Sequence, residues 1–255
     1  MSGGSDGILS NREAREVKGL DDGIVIGGED QDDVFVGEKG DIIQNNAISD
    51  FFDCGIETLG FITGTTISDN RISNTGVCGI GGWWSSSLAN NVIANNTITD
   101  SSSSLVFFYL LRASAPNPIL FTNNIFKNNN LVNQKTNPSL TFFKDPFPVF
   151  INLVQSNNPT TNQSNIFSNN DFGTNFVPFF SPTSAIVDGG GNTCLYGGYP
   201  GFPLNCVGLA SRLQSINQQD LTNKVNQTIQ TIKSFTEYED EQLSDPNLAP
   251  RKLGL

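Results

Sequence analysis

The chain has 255 residues, room for one large domain or two small ones, and its 25 acidic against 14 basic side chains leave a net charge of −11. That charge repels phosphate backbones and anionic headgroups, which excludes nucleic-acid and membrane-surface partners, and no apolar run approaches the roughly 20 residues of a membrane-spanning helix. There is no histidine, so the Ser/His/Asp triad, the Cys/His pair, histidine metal sites and every imidazole base are excluded as well.

Residues 1–19 are polar and combine no basic start with an apolar core, so the chain as it stands shows no secretory signal. Ser10 or Asn11 can cap a short helix over 12–18, ending at Gly19 and covering the open strand edges at the start of the body. The alternative expectation is that this is a fragment whose start lies upstream. Two strand-like runs, Gly23-Ile24-Val25-Ile26 and Val34-Phe35-Val36, then flank the densest charge on the chain, Glu29-Asp30-Gln31-Asp32-Asp33. This cluster reads either as a solvated loop or as a calcium site through Asp30, Asp32 and Asp33, since that ion takes convergent carboxylate oxygens; the spacing matches no EF-hand loop.

From Ile43 onward one phrase recurs: Ile43-Gln44-Asn45-Asn46-Ala47-Ile48, Ile67-Ser68-Asp69-Asn70-Arg71-Ile72 and Ile93-Ala94-Asn95-Asn96-Thr97-Ile98, with looser copies around Asn124 and Asn170. The central Asn recurs after about 24, 26 and 28 residues, and the longer last interval predicts a degenerate copy near 149–154. Short apolar runs punctuated by Gly, Asn, Asp and Ser, without helical periodicity, make each unit a set of strands and turns. The expected unit is a coil of about 24 residues with three short strands, lying about 4.8 Å above the previous one. Asn46, Asn70, Asn96, Asn124 and Asn170 then form one inward ladder, because a side-chain amide both donates and accepts and can satisfy buried turn backbone.

Cys54-Gly55-Ile56 and Cys78-Gly79-Ile80 stand at one offset from their repeat Asn, as the stack requires. Cys54 and Cys78 fall within bridging distance and are expected as buried free thiols. Insertions break the pattern at 81–87 and 101–118, and solenoid insertions gather on one face and carry binding. Trp83, Trp84, Phe107, Phe108 and Tyr109 lie in these stretches, either filling core or offering flat rings as a carbohydrate-stacking platform. Later phenylalanines fill the last coils. Cys194 and Cys206 bracket a short Gly/Pro-rich loop and read as a disulfide clip formed in an oxidising compartment.

The tail differs in character. Leu209, Leu213, Ile216, Leu221, Val225, Ile229, Ile232 and Phe235 recur at three and four, describing one or two amphipathic helices that pack back on the body. Residues 237–255 are acidic, hold two prolines and read as disordered. The expected organisation is an N-terminal segment 1–19, a repeat domain 20–206, amphipathic helices 207–236 and a tail 237–255.

Over about 20–194 these repeats resemble the right-handed parallel β-helix proteins of the pectin-lyase-like superfamily. The resemblance implies an all-β fold, a right-handed parallel β-helical solenoid with a C-terminal helical tail, and an extracellular or cell-surface setting. It says little about activity. Polygalacturonases and alginate epimerases of this class need histidine, and Arg71-Ile72-Ser73 lacks the Lys of the Arg-x-Lys motif that accompanies it. Calcium-dependent pectate lyases use carboxylates and an Arg base, for which only Arg71 and Arg112 are available in the regular body. The sequence thus supports a non-catalytic module that contacts a polysaccharide or a surface protein, with a polysaccharide lyase or hydrolase using carboxylates, Arg and calcium as the alternative.

Overall fold

A computed structural model of the chain describes residues 8–9, 23–29, 35–36, 38–51, 53–83, 87–101, 104–109, 120–131, 147–152, 161–173, 178–194, 202–206 and 223. The expected helix at 12–18, the acidic residues Asp30, Asp32 and Asp33, and the tail apart from Asn223 lie outside the described residues, as do the expected boundaries at 19/20 and 236/237.

The described chain is all-β with parallel sheets, apart from one short antiparallel pair. Strands β1 (Ile8–Leu9) and β2 (Ile24–Ile26) come first, and β3 (Gly28–Glu29) pairs antiparallel with β4 (Phe35–Val36). A pattern of four then sets in: β5 (Glu38–Lys39), β6 (Ile42–Gln44), β7 (Ala47–Phe51) and β8 (Cys54–Thr58). It repeats as β9 (Phe61–Thr63), β10 (Thr66–Ser68), β11 (Arg71–Thr75) and β12 (Cys78–Trp83), and again as β13 (Ser87–Ala89), β14 (Val92–Ala94), β15 (Thr97–Thr99) and β16 (Ser104–Tyr109). Next come β17 (Leu120–Thr122), β18 (Ile125–Lys127) and β19 (Phe147–Asn152), then β20 (Thr161–Gln163), β21 (Asn165–Ser168) and β22 (Phe179–Ser181), and last β23 (Ile186–Asp188). In these later rounds single bridges at Asn130, Asp171 and Thr193 continue the row that begins with β15.

Strands pair with their counterparts one round away, forming a five-stranded sheet (β20-β17-β13-β9-β5), a six-stranded sheet (β23-β21-β18-β14-β10-β6), a three-stranded sheet (β15-β11-β7) and a seven-stranded sheet (β1-β2-β8-β12-β16-β19-β22). Each full round therefore has four strands, not the expected three. The phrase itself contains two strands separated by one corner, and the chain bends at a second corner just before it. The segment 149–152 is no degenerate copy of the phrase: it belongs to β19, in the sheet that carries the Cys-Gly-Ile strands.

The corners explain the Asn doublets. In Asn45-Asn46, Asp69-Asn70, Asn95-Asn96, Asn128-Asn129 and Asn169-Asn170, the first residue takes positive φ, between 52° and 59°, which Asn and Asp tolerate best among side-chain-bearing residues. The second points inward. Its backbone N–H and Nδ2 both donate to Oδ1 of the next rung, and Nδ2 also reaches a strand carbonyl in the preceding round. For Asn96 these distances are 3.0 and 3.1 Å to Asn129 and 2.9 Å to Ile67. The ladder runs Asn46, Asn70, Asn96, Asn129, Asn170, Asn192, with steps of 24, 26, 33, 41 and 22 residues.

Asn124 is not on it. It belongs to a second ladder at the preceding corner, where Thr65 N–H donates to Asn91 Oδ1, Asn91 Nδ2 to Asn124 Oδ1 and Asn124 Nδ2 to Asn165 Oδ1. Locally Asn123-Asn124 and Asn128-Asn129 look alike. Only the cross-strand register, Val92 to Ile125 and Ile93 to Phe126, assigns them to different corners.

Between the sheets lies one core. Ile43, Ile67, Ile93, Phe126 and Phe167 stack in register along the six-stranded sheet, all buried. Facing them are Ile56, Ile80 and Val149 of the seven-stranded sheet. Each contributes about 1.5–3 kcal/mol by burial. The filling changes from Ile to Phe up the stack, and Phe126 lies on Phe167 with centroids 4.4 Å apart. Gly55 admits its neighbours: a Cβ there would stand 2.3 Å from Ile72 Cγ2 and 2.9 Å from the Gly79 carbonyl.

Cys54 and Cys78 are register partners with Cα atoms 4.5 Å apart and are joined in a disulfide, which corrects the expectation of free thiols. Adjacent parallel strands bring the two Cβ atoms together, and closing a loop of this size contributes about 3 kcal/mol. Cys194 and Cys206 are joined as well. Their clip closes the upper end: Leu204 is buried, and the Phe202 ring lies 6.0 Å from that of Phe180. Asp188 binds the clip to the last strand, accepting from Asn205 N at 2.9 Å, Gly190 N at 2.9 Å and Asn192 Nδ2 at 3.0 Å.

Candidate ligand-binding face

The two ladder corners are five residues apart in every round, as in Thr65 and Asn70, Asn91 and Asn96, Asn124 and Asn129, and Asn165 and Asn170. One inserted residue between them would put one ladder out of register with the other, so this part of the round tolerates no change of length. The connections that border the seven-stranded sheet vary freely. Those leaving it comprise residues 84–86, 110–119 and 153–160, and those entering it 100–103, 131–146 and 172–178. Length variation, and with it the freedom to vary side chains, is confined to the two edges of one sheet. That is where a repeat protein places a binding surface.

The sequence-selected aromatics are on this sheet. Trp83 closes β12 and pairs with Tyr109 at the end of β16; Phe107 and Phe108 precede it, paired with Gly81 and Gly82. The register separates the four. Phe108 occupies the column of Thr58, Gly82, Ile151 and Phe180, which are buried. Phe107 occupies the alternate column, with Glu57, Gly81, Phe150 and Phe179, while Trp83 and Tyr109 share a column with Asn152 and Ser181. Trp83, Phe107 and Tyr109 are thus at positions of one parity, and Phe108 is at a core position. Trp84 lies outside the described residues.

The polar candidates do not converge with them. Arg71 is exposed on the three-stranded sheet, between Ala47 and Thr97 in register, and Arg112 lies outside the described residues. Among the described residues there is no group of three or more His, Cys, Asp or Glu side chains able to hold a metal. The described acid nearest in sequence to the candidate calcium cluster is at the first corner, where burial and the neighbouring Glu38 push the Asp41 carboxyl above its ordinary range. Asp50 is shifted the other way, lowered by hydrogen bonds from Asn74 and Ser49.

Reading the sequence missed Asn91, Asn129, Asn165 and Asn192 as ladder residues. Their signal was present: a doublet beginning with Asn or Ser stands five residues before another at 90–91, 123–124 and 164–165. Comparison with known proteins adds no name, since the chain matches no protein-family model, no curated protein and no solved structure.

Proposed function

We propose that the chain is a right-handed parallel β-helix of the pectin-lyase-like type that binds an extended carbohydrate, without catalysis, on a secreted or cell-surface protein. The observation that carries this reading is the coincidence on one sheet of every variable connection with three aromatic positions of one parity. The solenoid rests on the four-sheet order and the amide ladders, and its hand on the strong preference of parallel strand crossovers for right-handedness. A ring-stacking surface suits sugars, which offer apolar C–H faces. The net charge of −11 favours a neutral glycan over a polyuronate. Two disulfides support an oxidising compartment and so a secreted or surface location. The separation of Arg71 from the aromatic sheet favours binding over a lyase.

The test is a glycan array followed by affinity electrophoresis of the full chain in soluble neutral glucans. Retardation is expected, weakened about tenfold by Trp83→Ala with Tyr109→Ala, the loss of roughly 1.4 kcal/mol of stacking, and unchanged by Arg71→Ala. Failure to bind any glycan would sink the carbohydrate reading. Release of unsaturated product from a polyuronate, abolished by Arg71→Ala, would establish the lyase in its place.

A further inference from the structure

The outer face of the six-stranded sheet carries an unbroken column of β-branched side chains: Ile42, Thr66, Val92, Ile125, Ile166 and Val187 in successive register. None is buried, and the ends are the most open, Ile42 at 69% and Val187 at 43% exposure. Five steps of about 4.8 Å make the column about 24 Å long. An exposed apolar stripe of that length on an otherwise polar chain calls for a partner.

The chain's own course indicates which. Its last continuous described stretch, 202–206, is tied to this sheet, with Asn205 N–H on the carboxylate of Asp188, the residue after Val187 at the head of the column. The polypeptide therefore leaves the body beside the upper end of the stripe. Beyond it, outside the described residues, 49 residues remain, and Leu221, Val225, Ile229 and Ile232 recur at helical spacing between polar positions. Residues 221–235 as a helix would span about 22 Å, close to the length of the column, and the 14 residues 207–220 are ample to return the chain along the sheet. We infer that the segment 221–235 lies along the outer column of the six-stranded sheet, its apolar side on Val92, Ile125 and Ile166. This inference is independent of the carbohydrate reading, which concerns a different sheet.

A benzophenone photo-crosslinking residue placed in the full chain at position 125, and separately at 187, tests the assignment, with position 97 on the three-stranded sheet as control. Peptide mapping by mass spectrometry should find intramolecular links from 125 and 187 to residues 221–235, and none from 97. Ile229→Asp with Ile232→Asp should reduce those links at least severalfold while the monomer remains folded by circular dichroism. Links to a second copy of the chain, or 125 and 187 linking nowhere within 221–235, would overturn the inference.

Discussion

Asn96 uses every polar group it owns: Oδ1 accepts from Asn70 N and Nδ2, and its own donors reach Asn129 and the Ile67 carbonyl. Leucine would fill the same volume and orphan donors on both sides at once. Asn96→Leu should therefore cost about 3–5 kcal/mol, several unsatisfied groups at once, whereas Asn46→Leu at the half-buried base should cost under about 2 kcal/mol. Urea unfolding of the two variants checks this, and equal costs would contradict the ladder. Asp41 is the complementary case. It precedes Asn46 by the same five residues that separate Asn91 from Asn96, so it stands where later rounds have Asn91, Asn124 and Asn165, and its Oδ2 is buried without a hydrogen-bond partner. Its carboxyl is raised, so the folded state holds that proton more tightly than the unfolded one. Its contribution is then greatest in acid and declines as pH rises from the unfolded-state value through the raised folded one. Asp41→Asn should stabilise the protein near neutral pH and remove that decline, measured as unfolding midpoints from about pH 3 to about pH 7. The lowered Asp50 acts oppositely, its contribution present above the unfolded value and lost as pH falls through the folded one.

At the scale of the element, the round divides into a rigid part and a permissive part. The rigid part holds two corners five residues apart, each entered by a residue at positive φ, such as Asn90 at 60° and Asn95 at 57°. The permissive part is the approach to and exit from the seven-stranded sheet, where successive connections differ severalfold in length without disturbing the pairing of β12, β16, β19 and β22. A Gly-Ser pair inserted after Ser85 should leave the thermal midpoint within a few degrees of the parent. The same pair inserted after Ile93 should abolish cooperative unfolding, because it puts one ladder out of register with the other in mid-stack. Differential scanning calorimetry distinguishes the outcomes, and tolerance at both sites would refute the division.

Over the whole molecule the two ends differ. The upper end is closed by the Cys194–Cys206 clip and by Asp188, while at the lower end β5, β6 and β7 are the terminal strands of their sheets and Ile42 is open to solvent. Amide exchange should accordingly be slowest in β10 and β14 and markedly faster in β6, followed by mass spectrometry, and uniform protection along the six-stranded sheet would contradict this asymmetry. Sequence by itself determined that the chain repeats, that its units are strands, that buried amides line the turns, and that Cys54 and Cys78 share a register. Each of these follows from the period-two chemistry of strands and from what a turn demands of its side chains, which is local. Only the tertiary structure decided that a round has four strands, that Asn124 and Asn129 stand in different ladders, that Cys54 and Cys78 are bonded, and that the variable connections border one sheet. These depend on which strand lies above which, and two identical Asn doublets five residues apart hold no local information about the neighbour each will meet.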